Sequence, residues 1–385
     1  MKTIAITVGT RPEAIKLAPL VHTLREEGDV RVLLVATAQH REILDQALEA
    51  FALRPDVDLD VMAPEQSLWE STARTLQRIG DTFARVSPDF VIVQGDTTSA
   101  FAGALAAHHL RIPIGHVEAG LRTGDLWRPH PEEANRRLIA RIATLHFAPT
   151  ESAQANLLGE GVPGDDILVT GNTVIDALRW IRARSSGELP GVVRAIESRG
   201  GRYVLVTAHR RENLAHGLRE IAQALLDLLA NHADLEIVFC LHLNPAARHV
   251  VHEVLADELR VHLLPPQPYA RFLALLGNCE LVMTDSGGIQ EEAPAFGKPV
   301  VVLRETTERG EAIDAGFACL GGVRRAEIVA ATERMLDSIE PSTACAQDSC
   351  GPARKGLFGD GDASQRIARA VLAHVRRARN SEDRG

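Results

Sequence analysis

The sequence predicts two doubly wound α/β domains in tandem, each built on a mostly parallel sheet covered by helices. Three observations carry this. The chain has 385 residues, more than a single hydrophobic core usually organises. Short apolar runs recur, each ending in a polar cluster and followed by a helical pattern, as in strands buried on both faces by crossover helices. The rhythm breaks once, over the Gly-, Arg- and Ser-rich segment 182–202 (RARSSGELPGVVRAIESRGGR), and then restarts.

The apolar runs of the first half lie at residues 4–8, 30–36, 90–93, 112–116, 145–148 and 167–169. Helical stretches fall between them at 14–26, 42–50, 68–86, 99–108, 132–142 and 151–158. In 68–86, Leu68, Thr72, Leu76, Ile79 and Phe83 share one helical face. The second half places strands at 203–207, 235–240, 261–264, 281–284 and 300–303, with helices at 214–229, 246–255, 269–277 and 289–296. A last helix, near 364–378, follows a Gly-rich turn at 356–361. The domains expected are therefore 1–181 and 203–361, with 362–385 as a terminal helix. Sheets of this kind gather ligands at the carboxyl ends of their strands, so a ligand cleft is expected between the domains.

A formal net charge of −9 argues against a nucleic-acid partner and is compatible with a small anionic ligand met by local basic groups. The five cysteines form neither a disulfide framework nor a CxxC zinc pair. No apolar stretch reaches membrane-spanning length, and the strand at 4–8 follows Met1 with no leader pattern, so a cytoplasmic enzyme is expected.

Polar clusters stand where the chain leaves the strands. The first, Gly9-Thr10-Arg11-Pro12-Glu13 with Lys16, combines a tight turn with a helix start and two cations, a ready anion site. It is neither a dinucleotide fingerprint nor a P-loop. Asp96, in QGDTT, and Glu118, in HVEAG, also end strands. Glu132 and Glu133 open a helix, where the dipole alone justifies one of them. Three carboxylates from three segments suit general acid–base work, and equally a divalent metal or plain capping roles. His209 follows the first strand of the second half and His242 follows the next. A metal site is not assigned to these histidines. In the segment 284–292, Gly287 and Gly288 open a helix start beside Ser286, the best diphosphate cradle in the chain. Glu292, a turn further on, suits ribose hydroxyls, and Arg309 adds a charge nearby.

Taken in order, GTRPEAIKLAPL, TAQHREILDQ, VQGDTTSAFAGALAA, GHVEAGLRTGD, PEEANRRL, VTGNTVIDAL, HRREN, HLNP, DSGGIQEEAPAFGKPVVVLRETTER and FGDGDASQRI resemble the non-hydrolysing UDP-N-acetylglucosamine 2-epimerases of bacteria. The resemblance runs from about residue 3 to residue 376. It implies two Rossmann-like domains of the glycosyltransferase-B type, with the C-terminal helix packing back on the first, in a homodimer. It also implies reversible conversion of UDP-N-acetylglucosamine to UDP-N-acetylmannosamine without a cofactor, serving polysaccharide biosynthesis. UDP would leave and return, with 2-acetamidoglucal held between the two steps.

The same resemblance implies catalytic roles for Asp96, Glu118, Glu132 and His209. It implies UDP contacts for Arg11, Lys16, Ser286, Gly287, Gly288, Glu292 and Arg309. A second, regulatory site binding the substrate as activator would draw on Gln39, Gln66, Arg210 and His242. Three segments depart from the family pattern without removing a candidate group: Trp127-Arg128-Pro129-His130-Pro131, Glu308-Arg309-Gly310-Glu311 and Gly356-Leu357-Phe358-Gly359-Asp360-Gly361. Two other activities share this architecture. One is a hydrolysing 2-epimerase that releases UDP and free N-acetylmannosamine; the other is a glycosyltransferase, in which the three carboxylates would lack a purpose.

Overall fold

In the computed structural model, the described residues are 1–37, 41–62, 66–185, 188–208, 217–241, 244–339 and 356–382. They divide into two units: Met1–Ile181 together with Phe358 onward, and Arg182–Leu357.

The first unit alternates strand and helix: β1 (Lys2–Val8), α1 (Arg11–Glu26), β2 (Val30–Ala36), α2 (Arg41–Ala50), β3 (Val57–Asp58), α3 (Leu68–Val86), β4 (Phe90–Gln94), α4 (Thr98–His109), β5 (Ile114–Val117), α5 (Glu132–Ile142), β6 (Leu145–Ala148), α6 (Glu151–Gly159), β7 (Ile167–Val169) and α7 (Thr173–Arg184). All strand pairs are parallel, in the order β3-β2-β1-β4-β5-β6-β7. The order reverses between β1 and β4, and a crevice opens at such a reversal beyond the strand ends. The core joins Ala5, Val35, Val91 and Val93 of the central strands to Ile79 and Phe83 of α3 and to the alanines of α4. Each large apolar side chain so buried contributes about 1.5–3 kcal/mol. α3 begins at a reciprocal capping box between Ser67 and Glu70.

Small residues let α4 approach the sheet closely. A Cβ on Gly9 would lie 2.1 Å from Ser99 Oγ, and one on Gly103 would lie 2.9 Å from Thr7 Oγ1. A side chain at either position would drive the start of α4 away from the end of β1. The spacing of the two switch-point turns thus follows from sequence.

The second unit repeats the plan: α8 (Gly191–Ser198), β8 (Arg202–Thr207), α9 (Gly217–Asn231), β9 (Leu235–Cys240), α10 (Pro245–Leu255), β10 (Val261–Leu264), α11 (Tyr269–Asn278), β11 (Leu281–Thr284), α12 (Gly287–Ala295), β12 (Val300–Val302), α13 (Gly310–Asp314), β13 (Ala318–Leu320) and α14 (Arg325–Asp337). Its parallel sheet runs β10-β9-β8-β11-β12-β13, reversing between β8 and β11. The final helix, α15 (Ala363–Glu382), belongs to the first unit and packs on α1.

The double winding expected from the sequence is present in both units. The structure adds to the elements read from the sequence the helices α7, α13 and α14 and the strands β3 and β13; β3 and β13 have two and three residues, too short for a periodicity signal. The segment at 182–202 holds a short helix, α8, which buries Val193 and Ile196 in the second unit. The return to the first unit occurs at Phe358, not at residue 362, because Phe358 is already bonded to the β7–α7 turn at Asn172 and the start of α15 to Asp176 of α7.

Candidate active site

At the reversal in the first unit, the turns after β1, β4 and β5 meet. Glu118, just past β5, is held in the left-handed backbone region at φ 64°. A non-glycine residue there costs of order 1–3 kcal/mol, and such residues cluster at functional sites. Its carboxylate is fully engaged. Oε1 receives Lys16 Nζ from α1 and, at 3.1 Å, Asn172 Nδ2 from the β7–α7 turn; Oε2 receives Gln94 Nε2 from the end of β4. Lys16 and Glu118 are both nearly excluded from solvent. Lys16 thus has a carboxylate partner within its own unit.

Asp96 stands on the turn after β4. Its carboxylate receives Arg136 Nη2, and its carbonyl accepts from Asn135 Nδ2 at 2.9 Å, both from the first turns of α5. The same helix begins with Glu132, so the helix that offers Glu132 is the one that clamps Asp96. Glu132 and its neighbour part company here. Glu133 is fully buried and accepts from Thr123 N–H at 3.1 Å and from Arg137 Nε at 2.9 Å. Glu132, half-buried, stands in the first turn of α5 with no side-chain bond recorded to a described residue. Asp96 and Glu118 each have their own cation, Arg136 and Lys16.

Two further titratable groups line the same turns. Glu13, in the first turn of α1, accepts from Gly9 N–H at 3.1 Å, from the Thr10 hydroxyl at 2.8 Å and from the Thr97 hydroxyl at 2.8 Å. It thereby ties the turn after β1 to the residue next to Asp96. Burial outweighs those bonds and pushes its carboxyl up to about 7. His116, buried in β5, donates from Nε2 to the Gly95 carbonyl at 2.7 Å. Burial pushes it down to about 3, so it is a neutral prop beneath the Asp96 turn. Arg11 occupies the first position of α1, half-buried, beside these groups.

At the reversal in the second unit, the hydroxyls of Thr207 and Thr284 bond across β8 and β11 at 2.8 Å. Thr284 Oγ1 also accepts from Ser286 N–H at 3.0 Å, which shapes the turn into α12. The Ser286 side chain forms no cap bond. A Cβ on Gly287 would lie 2.9 Å from Arg309 Cζ, whereas nothing lies within 4 Å of one on Gly288. The helix start is therefore packed from below at Gly287 and open at Gly288. Arg309 bonds Glu291 through Nε at 2.9 Å and bonds Glu308 through Nη1, and Glu308 accepts from Arg304 at 3.0 Å. All four are buried. Arg309 thus supports the glycine turn from within an ion network. Glu292 accepts from the Tyr269 hydroxyl at 2.9 Å, which orients it.

Of the remaining candidates, Gln66 lies immediately before the Ser67 cap of α3. Gln39, His209, Arg210 and His242 lie outside the described residues. Among the described residues, no group of three His, Cys, Asp or Glu is placed to hold a metal, and no helix is long and apolar enough to cross a membrane. The sequence reading missed Gln94, Asn135, Arg136, Asn172 and Tyr269 as partners of the candidate groups. Gln94, Asn135, Arg136 and Asn172 are polar residues within the quoted motifs, whereas Tyr269 lies outside them all; only a register can say which carboxylate each meets.

Paired doubly wound sheets, with counter-charged carboxylates at one reversal and a glycine-opened helix start at the other, define an α/β enzyme architecture for phosphorylated ligands. Comparison with known proteins narrows it. Residues 22–372 match the family model described as UDP-N-acetylglucosamine 2-epimerase. The UDP-N-acetylglucosamine 2-epimerase of Escherichia coli K12 is 46% identical over 368 residues, covering 94% of this chain and 96% of its own. A Staphylococcus aureus MnaA–UDP structure superposes with a TM-score of 0.89 at 39% identity, covering 98% of this chain and 97% of that one. The Neisseria meningitidis UDP-GlcNAc 2-epimerase bound to UDP-GlcNAc gives 0.86 at 40% identity, covering 97% and 100%. The chain belongs to the UDP-N-acetylglucosamine 2-epimerase family.

Proposed function

We propose that this enzyme interconverts UDP-N-acetylglucosamine and UDP-N-acetylmannosamine by eliminating and re-adding UDP, without releasing free sugar. The observation that carries the reading is Glu118, strained at φ 64° and gripped by three side chains, in a chain 46% identical to the E. coli epimerase. A site built for acid–base work requires such fixed carboxylates.

The chemistry explains the parts. The C2–H of the sugar is a poor acid because no carbonyl activates that carbon directly. Cleavage of the anomeric C–O bond must therefore accompany loss of the proton, and UDP departs with the electron pair. Backbone N–H groups at the start of α12, with Ser286, Gly287 and Gly288, would receive the diphosphate and lower the energy of its growing negative charge. Arg11 would add a cation, Glu292 would hold the ribose, and Arg309 would keep the Gly287 turn in shape. Asp96, Glu118 and Glu132, with His209, would move the proton on the two faces of C2. UDP then adds back to 2-acetamidoglucal as a proton arrives on the opposite face. Gln39, Gln66, Arg210 and His242 would form a second site for the substrate as activator, in a homodimer serving polysaccharide biosynthesis.

The test is NMR of UDP-N-acetylglucosamine incubated with the enzyme in D2O. Elimination and re-addition put deuterium at C2 of both UDP-sugars. Accumulation of UDP and free N-acetylmannosamine would instead identify a hydrolysing enzyme, and retention of the C2 proton would rule out the elimination.

A further inference from the structure

Asn172 connects Glu118 to a distant part of the chain. It is 2% exposed, and all four of its polar groups have partners, its backbone carbonyl accepting from Ile175 N–H at 3.1 Å. Its side-chain Nδ2 donates to Glu118 Oε1 at 3.1 Å, its Oδ1 accepts from Val174 N–H at 3.0 Å, and its backbone N–H donates to the Phe358 carbonyl at 2.7 Å. Phe358 is where the chain re-enters the first unit from the second. The re-entering segment is fixed to the β7–α7 turn at several further points. Asp176 accepts from Ser364 N–H at 2.7 Å and from Ala363 N–H at 3.3 Å, and Arg366 donates to the Thr170 carbonyl at 2.9 Å. Backbone lies directly on backbone here. A Cβ on Gly359 (φ 120°) would lie 3.0 Å from Gly171 Cα and 3.2 Å from Asn172 N.

We propose that Asn172 is a positioning residue for the reaction: docking of the re-entering segment at Phe358–Gly359 fixes Asn172, and Asn172 fixes the Glu118 carboxylate. The physical case is one of rigidity. A long carboxylate side chain on a strained backbone needs several fixed donors to hold it within the few tenths of an ångström that proton transfer demands. Lys16 supplies charge through a flexible stem, whereas Asn172 is held rigidly at both its acceptor and its backbone N–H. This inference rests on the acid–base role proposed above for Glu118.

The experiment compares four full-length enzymes: wild type, Asn172→Asp, Gly359→Ala and the double variant. Asn172→Asp keeps the acceptor for Val174 and replaces the donor facing Glu118 with an oxygen. The expected result is a loss in kcat of about 10- to 100-fold with KM changed less than about threefold, and the Glu118-dependent limb of the pH–rate profile displaced to higher pH. Gly359→Ala, which does not touch Glu118, lowers kcat through the same bond, so the double variant is no slower than Asn172→Asp alone. A kcat for Asn172→Asp within twofold of wild type overturns the proposal, as does a double variant whose losses multiply. Should Asn172→Asp fail to fold by thermal melting, Asn172→Ser, which can still accept from Val174 N–H but falls short of Glu118, takes its place in the cycle. An inactive wild type overturns the functional reading itself and is seen before any variant is measured.

Discussion

Lys16 in the second turn of α1 bonds its ammonium to the carboxylate of Glu118, 102 positions along the chain, with both side chains almost excluded from water. Removing one partner of such a pair leaves a buried charge uncompensated, at about 3–5 kcal/mol. Lys16→Met is therefore expected to lower stability by an amount in that range, and Glu118→Gln in the same background to restore part of it. Urea unfolding of the two single variants and the double variant measures this; strict additivity would show that the pair does not couple.

Asp96→Asn should leave the fold and UDP affinity near wild type while turnover falls about 100-fold or more, the scale of lost acid–base help. Steady-state kinetics with calorimetric titration of UDP separates the two effects. Near-normal turnover would remove Asp96 from the chemistry and leave it a tether for Arg136.

The strand-end positions of Asp96 and Glu118 and the helix-start position of Glu132 were legible in the sequence, the first two because a parallel sheet delivers whatever follows its strands to one edge. Their surroundings were not. Lys16 meets Glu118 across 102 positions of chain, a pairing no local pattern records, and the approach of α4 to the sheet likewise rests on Gly9 and Gly103 through contacts 90 and 96 positions away. Glu132 and Glu133 are indistinguishable as letters, and only the rotation of α5 buries one of them. An arginine near a glycine turn, as at Arg309, suggests an anion, but the buried ion network around it is not readable there. Glu291 and Glu308, which accept from it, sit on either side of a buried strand and no local pattern joins them to it.

Glu13 makes stability depend on pH. Its folded carboxyl is raised from 4.5 to about 7 by burial, so between those values the folded state binds more protons than the unfolded chain. Stability then falls as pH rises through that window, by about 3 kcal/mol in all if each unit is worth ~1.4 kcal/mol. Glu13→Gln, neutral throughout, should show a Tm difference from wild type that moves in the variant's favour from pH 5 to pH 8. A difference that stays constant across that range would show that Glu13 does not titrate there.

The α12 turn offers a paired test at adjacent residues. Gly287→Ala places a methyl against the Arg309 guanidinium, so both Tm and UDP affinity should fall, stability by about 1–3 kcal/mol. Gly288→Ala meets nothing within 4 Å, so its Tm should stay near wild type while UDP binding weakens by about tenfold or more as the methyl enters the ligand's space. Unchanged UDP affinity in Gly288→Ala would move the diphosphate elsewhere.

The buried quartet of Arg304, Glu308, Arg309 and Glu291 has a consequence for encounter with the ligand. Two positive and two negative formal charges cancel beneath the glycine turn, so an arriving dianion feels oriented peptide dipoles there and little long-range pull. Added salt, which screens the field of exposed ions over roughly 10 Å at 0.1 M, should accordingly slow capture of the nucleotide through groups such as Arg11 and leave the grip of the α12 turn largely untouched.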